Sequence, residues 1–172
     1  MIRRRSEGMG MQDLIIAAAR LGSILRARGE TVAVAESSGG GLIAAALLAQ
    51  PGASAFFVGG AVVYTAAARE ALLGITPADM TGMRSSSEPY AALLARRMRD
   101  RLGATWGLAE TGAAGPAGNR YGDAPGHTCL AVAGPLDAVR TLETAVADRV
   151  ANMQHFAAAA LALLEHLASQ AG

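Results

Sequence analysis

An α/β fold, with a mostly parallel or mixed sheet held between helical layers as a three-layer sandwich, is what this chain of 172 residues predicts. Apolar positions at helical spacing alternate along it with short β-branched runs, and glycine or proline punctuates nearly every segment. Composition agrees: 52% hydrophobic against 17% charged residues leaves enough apolar surface to offset the conformational entropy lost on folding. With aromatics at only 4% and alanine dominant, helices and strands must pack closely. The length suits one core, read as a single domain over residues 11–170 behind a flexible N-terminal tail over 1–10.

The elements follow in order. From Met11 to Arg28, Leu14, Ile15, Ala18, Leu21 and Leu25 recur at helical spacing, and Gly29 is a natural stop. Thr31–Ala35 is a short β-branched run of the kind that forms a buried strand, and Gly40–Leu48 resumes a helical pattern until Pro51-Gly52. Ala55–Tyr64 predicts a second strand with a bulge or close approach at Gly59-Gly60, and Ala66–Leu73 a helix ended by Gly74. Ser87 caps a helix that carries Pro89 in its first turn and runs to Leu102, before Gly103. Thr105–Glu110 predicts a strand, 111–126 a long loop, His127–Ala133 and Leu136–Val146 two more strands, and Asp148–Leu167 a terminal helix. That alanine-rich helix admits two readings, an interface between copies in a homo-oligomer and a stripe facing the core over Phe156–Leu164.

Charge and cysteine narrow the classes of partner. A net charge of +1 gives no field to draw polyanions, and the basic run Arg3-Arg4-Arg5 lies in the tail, so no nucleic-acid partner is expected. The uncharged stretch 37–68 is broken by glycines and by Pro51-Gly52, which argues against a membrane span. The single cysteine, Cys129, cannot form an internal disulfide, and no signal-peptide core follows the arginines, so a cytoplasmic setting is expected. His127, His155 and His166 are scattered without a metal-ligand spacing; Cys129, two positions from His127, points to the same sheet face, and the other two histidines fall on the solvent side of the last helix.

Two segments stand where strand ends meet glycine-bearing turns, the usual place for a binding crevice in such sheets. In Ala35-Glu36-Ser37-Ser38-Gly39-Gly40-Gly41, backbone amides at a helix start suit an anion such as phosphate; the competing reading is a serine that merely caps the helix. In Glu110-Thr111-Gly112-Ala113-Ala114-Gly115-Pro116-Ala117-Gly118, a strand end opens into a loop long enough to fold over a ligand.

The order Ala-Glu-Ser-x-x-Gly-Gly at 35–41, Pro-Gly-x-Ser at 51–54, Tyr64, Leu73-Gly74-Ile75, Ser87-Glu88 and Thr-Gly-x-Ala-Gly-Pro at 111–116 resembles the CinA C-terminal family, over residues 11–167. The resemblance implies an amidohydrolase that converts nicotinamide mononucleotide to nicotinic acid mononucleotide and ammonia, with a serine nucleophile activated by a lysine and with neither metal nor cofactor. It places the nucleophile on Ser37, the neighbouring tyrosine on Tyr64 and the lysine position on Arg69. Ligand contacts fall on Ser38, Gly39, Gly40, Gly41, Glu110, Thr111, Gly112, Ala114, Gly115, His127 and Arg149. Longer family members carry an additional N-terminal domain, which this sequence is not expected to contain.

The departures are chemical. All 15 basic Lys+Arg residues are arginine, so no lysine can fill the role at Arg69. A neutral lysine accepts a serine proton, whereas guanidinium stays charged and offers no lone pair. Ser38 stands where the family has cysteine, Gly39 where it has threonine, and Glu110 where an apolar residue is common. Three functions therefore compete: a pocket that retains a small phosphorylated or pyridine-nucleotide-like ligand with deamidation altered or lost; a hydrolase using Ser37 with His127 or Glu110 as the base; and a non-catalytic oligomeric module. Asp123 reads as a turn residue.

Overall fold

The computed structural model describes residues 8–171; the Arg3–Arg5 run and most of the expected tail lie outside them. Five helices, α1 (Met11–Arg28), α2 (Leu42–Leu48), α3 (Ala66–Leu73), α4 (Glu88–Leu102) and α5 (Arg149–Gln170), accompany five strands, β1 (Val32–Glu36), β2 (Phe57–Val62), β3 (Trp106–Ala113), β4 (His127–Ala133) and β5 (Ala138–Glu143). The sheet order is β2-β1-β3-β4-β5. β1 runs parallel to both β2 and β3, while β4 and β5 are added antiparallel, so the sheet is mixed.

Two apolar layers cover the sheet, as an α/β sandwich requires. On one face Leu14, Leu21 and Leu25 of α1, Ile43 and Leu47 of α2 and Leu161 and Leu164 of α5 close over Val32, Val34, Leu108 and Leu130. On the other, Leu94, Ala95 and Met98 of α4 and Leu73 of α3 meet Ala33, Ala35, Ala109 and Ala131. Alternate residues of β1 and β3 thus serve opposite cores, which is why both strands read as unbroken apolar runs. The stripe of α5 from Phe156 to Leu164 faces the core.

Helix boundaries follow the caps. Thr65, Ser87 and Asp148 each accept a hydrogen bond from the third residue beyond, and Gly29, Gly74 and Gly103 end α1, α3 and α4. The ends of β2, β3 and β5 differ most from the sequence expectation. β3 continues to Ala113, because Glu110–Ala113 pair with His127–Leu130 of β4, and the loop shrinks to residues 114–126. Gly112 is required there: a Cβ would collide with the His127 carbonyl. β2 is shorter at its start, Ala53–Ala55 forming a 3₁₀ turn; its irregularity falls at Val58, skipped between the pairs Val32–Phe57 and Ala33–Gly59, while Gly60 makes the close approach to Val34 and Ala44. β5 starts only after a turn in which the Gly134 amide donates to Asp137 (2.9 Å), and it ends before Ala145, whose φ is +58°.

Among the described residues no helix is long and apolar enough to cross a membrane, and no group of three or more His, Cys, Asp or Glu side chains is placed to hold a metal.

Candidate functional site

The C-terminal ends of β1, β2 and β3 lie side by side, with the start of antiparallel β4 beside them. This edge gathers Ser37, Tyr64, Thr111 and His127, the parts the sequence left scattered.

The Ser37–Gly41 turn is held from beneath by two carboxylates. Glu36 accepts from the amides of Ile43 (2.9 Å) and Ala44 (3.0 Å), filling the first turn of α2. Glu110, fully buried on β3, accepts from the amides of Ser37 (3.1 Å) and Gly39 (2.6 Å) and from the hydroxyls of Ser38 (2.5 Å) and Thr128 (3.0 Å). The amides expected to cradle a phosphate therefore bind the chain's own carboxylates. Ser38, Gly39 and Glu110 are buried supports of the turn, and none of them lines the cavity above it. Gly40 and Gly41 complete the turn with positive φ, and likewise lie outside that cavity.

Burial dominates the titration of both acids. It pushes Glu36 up to about 7, against the Ala44 and Ile43 hydrogen bonds and with a further push from the Glu110 charge. It also raises Glu110, against the hydrogen bonds from Ser38, Gly39, Ser37 and Thr128. Two carboxylates this close in a dry setting disfavour double ionisation, so the protonated form is favoured at both positions.

Above the turn opens a cavity of about 350 Å³ lined by Ser37, Val63, Tyr64, Thr65, Ala66, Arg69, Ser85, Ser86, Tyr90, Thr111, Gly112, Asn119 and Arg120. Ser37, Tyr64, Arg69, Thr111 and Gly112 were expected here. Arg69 donates to Ser85 Oγ (3.1 Å), and its guanidinium carbon stands 5.4 Å from the centroid of the Tyr90 ring. Burial raises the Tyr90 phenol, opposed by the Arg69 hydrogen bond and charge. A larger groove between β5 and α5, about 450 Å³, is mainly aliphatic in lining and contains none of these groups.

Arg149, Ala114 and Gly115 serve the loop. Arg149 donates to the Gly115 carbonyl (2.6 Å) and to Tyr64 Oη (3.2 Å), and Asn152 donates to the Ala114 carbonyl (2.7 Å). They fix the loop start against α5 and Tyr64 without lining the cavity. The Gly115-Pro116 peptide is cis.

His127 is engaged elsewhere. Its Nε2 donates to the Ser86 carbonyl (3.0 Å), and its Nδ1 is hydrogen-bonded to Glu143. With acceptors at both ring nitrogens the charged ring is favoured. Burial opposes the charge, but the Glu143 and Ser86 hydrogen bonds, helped by the charges of Asp123 and Glu143, outweigh it and raise the pKa. Neither His127 nor Glu110 is hydrogen-bonded to the Ser37 hydroxyl, so neither stands as its base in this arrangement. Cys129 Sγ lies 3.7 Å from His127 Nε2, on the same sheet face as expected. His155, expected on the solvent side, is half-buried beside Met9 and Leu142 with its Nδ1 unpartnered among the described residues. Asp123 is a turn residue bonded to Asn119 and Arg84.

Sequence reasoning missed Ser85, Ser86, Tyr90, Asn119 and Arg120. Ser86 is a buried residue with φ at +55°, a conformation that costs a non-glycine residue about 1–3 kcal/mol. It is held by its amide donating to Thr111 Oγ1 (3.3 Å) and by the His127 bond to its carbonyl. The available signal was polar density, Arg-Ser-Ser-Ser at 84–87 and Asn-Arg-Tyr at 119–121, in stretches lacking an apolar period.

Comparison with known proteins bears on the chain as a whole. The CinA C-terminal domain model matches residues 16–168. A CinA-like protein of Prochlorococcus marinus is 44% identical over 112 residues, covering 65% of this chain and 26% of that protein. One from Salinibacter ruber is 35% identical over 153 residues, covering 89% of this chain and 37% of its own length. The chain thus spans about a quarter to a third of these relatives. Among solved structures, a competence-damaged protein (CinA) superfamily protein of Klebsiella pneumoniae superposes with a TM-score of 0.86 at 25% identity, over 91% of this chain and 98% of that one. The competence/damage inducible protein CihA of Agrobacterium tumefaciens gives 0.84 at 28% identity, over 95% and 99%. On the family match and these relatives together, the chain belongs to the CinA C-terminal domain family.

Proposed function

We infer that the cavity above Ser37 binds a small phosphorylated, pyridine-nucleotide-like ligand, and that the amidohydrolase activity implied by the family resemblance is strongly reduced or lost in this chain. One observation supports this reading most directly: Ser37 and Arg69 line the same polar cavity, and the group at the lysine position is a guanidinium engaged with Ser85 and Tyr90.

Deamidation by a serine requires its Oγ to attack the carboxamide carbon while its proton passes to a neighbouring base. Arg69 remains cationic and has no acceptor lone pair, so it holds an anion well and takes a proton badly. No residue among those described makes a hydrogen bond to the Ser37 hydroxyl. Loss of a positioned general base typically costs about 10²–10⁴-fold in rate. The same guanidinium suits phosphate through charge-assisted, forked hydrogen bonds.

The test is ammonia release from nicotinamide mononucleotide, paired with calorimetric binding of the same compound. Binding accompanied by turnover at least about a hundredfold below that of a lysine-bearing family member is the expected result. Any residual ammonia release should disappear in Ser37→Ala. Absence of binding would reject the cavity as the ligand site.

A further inference from the structure

The loop over 114–126 delivers a second guanidinium, Arg120, to the cavity that Arg69 already lines. No carboxylate is among the lining residues, and among the described residues neither arginine has an acidic partner. Arg69 and Arg120 therefore bring two uncompensated positive charges to one polar concavity that also presents the hydroxyl-bearing Ser37, Ser85 and Thr111.

Arg120 sits in a tightly built turn. Asn119 Oδ1 accepts from the amides of Tyr121 (3.0 Å) and Asp123 (3.1 Å), and its Nδ2 donates to Asp123 Oδ2 (2.8 Å). Arg84, from the segment before α4, grips Asp123 through its two terminal nitrogens, at 2.6 and 3.1 Å. Tyr121 is bound twice over: the Arg84 and Arg120 guanidinium carbons lie 5.2 and 5.1 Å from its ring centroid, and Arg120 donates to its hydroxyl (3.0 Å). A long side chain restrained in this way loses less freedom when it grips a ligand, which is how preorganisation raises affinity.

Resting on the reading that this cavity takes a phosphorylated ligand, we propose that Arg120 and Arg69 form a two-guanidinium seat selecting a doubly charged phosphate group, and that the Arg84–Asp123 pair is the positioning element that holds Arg120 over the cavity. Neutral nucleosides and singly charged diesters are discriminated against. The dianionic group belongs to a phosphomonoester or to free phosphate, and the cavity volume, with aromatic Tyr64 and Tyr90 on its wall, favours the monoester.

The test is calorimetry with three probes, nicotinamide mononucleotide, nicotinamide riboside and inorganic phosphate, on the full chain and on Arg69→Ala, Arg120→Ala, Arg120→Lys, Arg84→Ala and Arg84→Lys. The native chain should bind the nucleotide more tightly than the riboside or inorganic phosphate, and its affinity should rise as pH passes through the phosphate's second pKa near 6. Arg120→Ala should weaken the nucleotide roughly tenfold to a hundredfold, the range for losing a charge-assisted hydrogen bond, should not weaken the riboside, whose only charge is its pyridinium cation, and should flatten the pH profile. Arg120→Lys should recover part of the affinity. Arg84→Ala and the charge-keeping Arg84→Lys should both weaken the nucleotide without weakening the riboside, whereas simple loss of charge would confine the effect to Arg84→Ala.

Undiminished nucleotide affinity in Arg120→Ala, alongside a loss in Arg69→Ala, would overturn the two-arginine seat while sparing the cavity assignment. Tighter binding of inorganic phosphate than of the nucleotide would overturn the monoester choice. If none of the three probes binds the native chain, the cavity reading fails and the seat with it. Arg120 is exposed and outside both cores, so its variants should melt within a few degrees of the native chain.

Discussion

Glu36 and Glu110 close on the same glycine from neighbouring strands: a Cβ on Gly39 would lie 3.2 Å from Glu36 Oε1 and 3.0 Å from Glu110 Oε2. Between them they accept from four backbone amides in the stretch 37–44, which makes the pair the mount on which Ser37 is held.

Gly39→Ala should therefore destabilise the fold. The methyl group must displace two buried carboxylates that are already committed to amides, an overpacking that typically costs about 1–3 kcal/mol. Urea unfolding should show a lower midpoint with an unchanged slope; a midpoint equal to that of the native chain would mean that the turn is loosely packed.

The same pair makes stability depend on pH. Glu36 is raised in the folded chain to about 7 and Glu110 is raised as well, so the folded state binds more protons than the unfolded one over this range. The Glu36 contribution is complete below the ordinary carboxylate range and is lost as pH climbs towards and through about 7, and the raised Glu110 acts in the same direction. For Glu36 it is on the order of 3 kcal/mol at most. Urea midpoints should fall from pH 5 to pH 8. In Glu110→Gln, whose amide keeps an acceptor for the Ser37 and Gly39 amides, the fall should be smaller; an identical slope in native and variant chains would remove the pair as its source.

Arg149 ties the Gly115 carbonyl to Tyr64 across the mouth of the loop. Arg149→Ala should raise amide hydrogen exchange over 114–126 by about tenfold, the loss of one charged hydrogen bond, while the strands of the sheet keep their protection. Exchange that rises equally in β3 and β4 would show a global destabilisation instead.

The helices and the central strands were legible because their signals are local. The α1 period and Gly29, the Ser87 cap and Pro89, and the β-branched run at 31–35 each fix their own element. The end of β3 was not legible, since Thr111-Gly112-Ala113 carries loop-like residues and becomes strand only through pairing with His127–Cys129. The fate of the glycine-rich turn was hidden for a related reason. A sequence shows that amides at 37–44 want an anion, but only the register that sets Ala35 opposite Ala109 brings Glu110 in to supply it. Ser37, Tyr64 and Arg69 were found through the family motifs. Arg120 was not, because its position over the cavity depends on Arg84, thirty-six residues earlier in the chain.

Ammonia release from nicotinamide mononucleotide, measured side by side for the native chain and for Arg69→Lys, decides whether the guanidinium at position 69 is what silences Ser37. With a guanidinium in the proton acceptor's place, the native chain should be at or near background, and the lysine variant should gain activity that Ser37→Ala then abolishes. Native turnover matching that of lysine-bearing family members, with no gain in the lysine variant, would contradict the account.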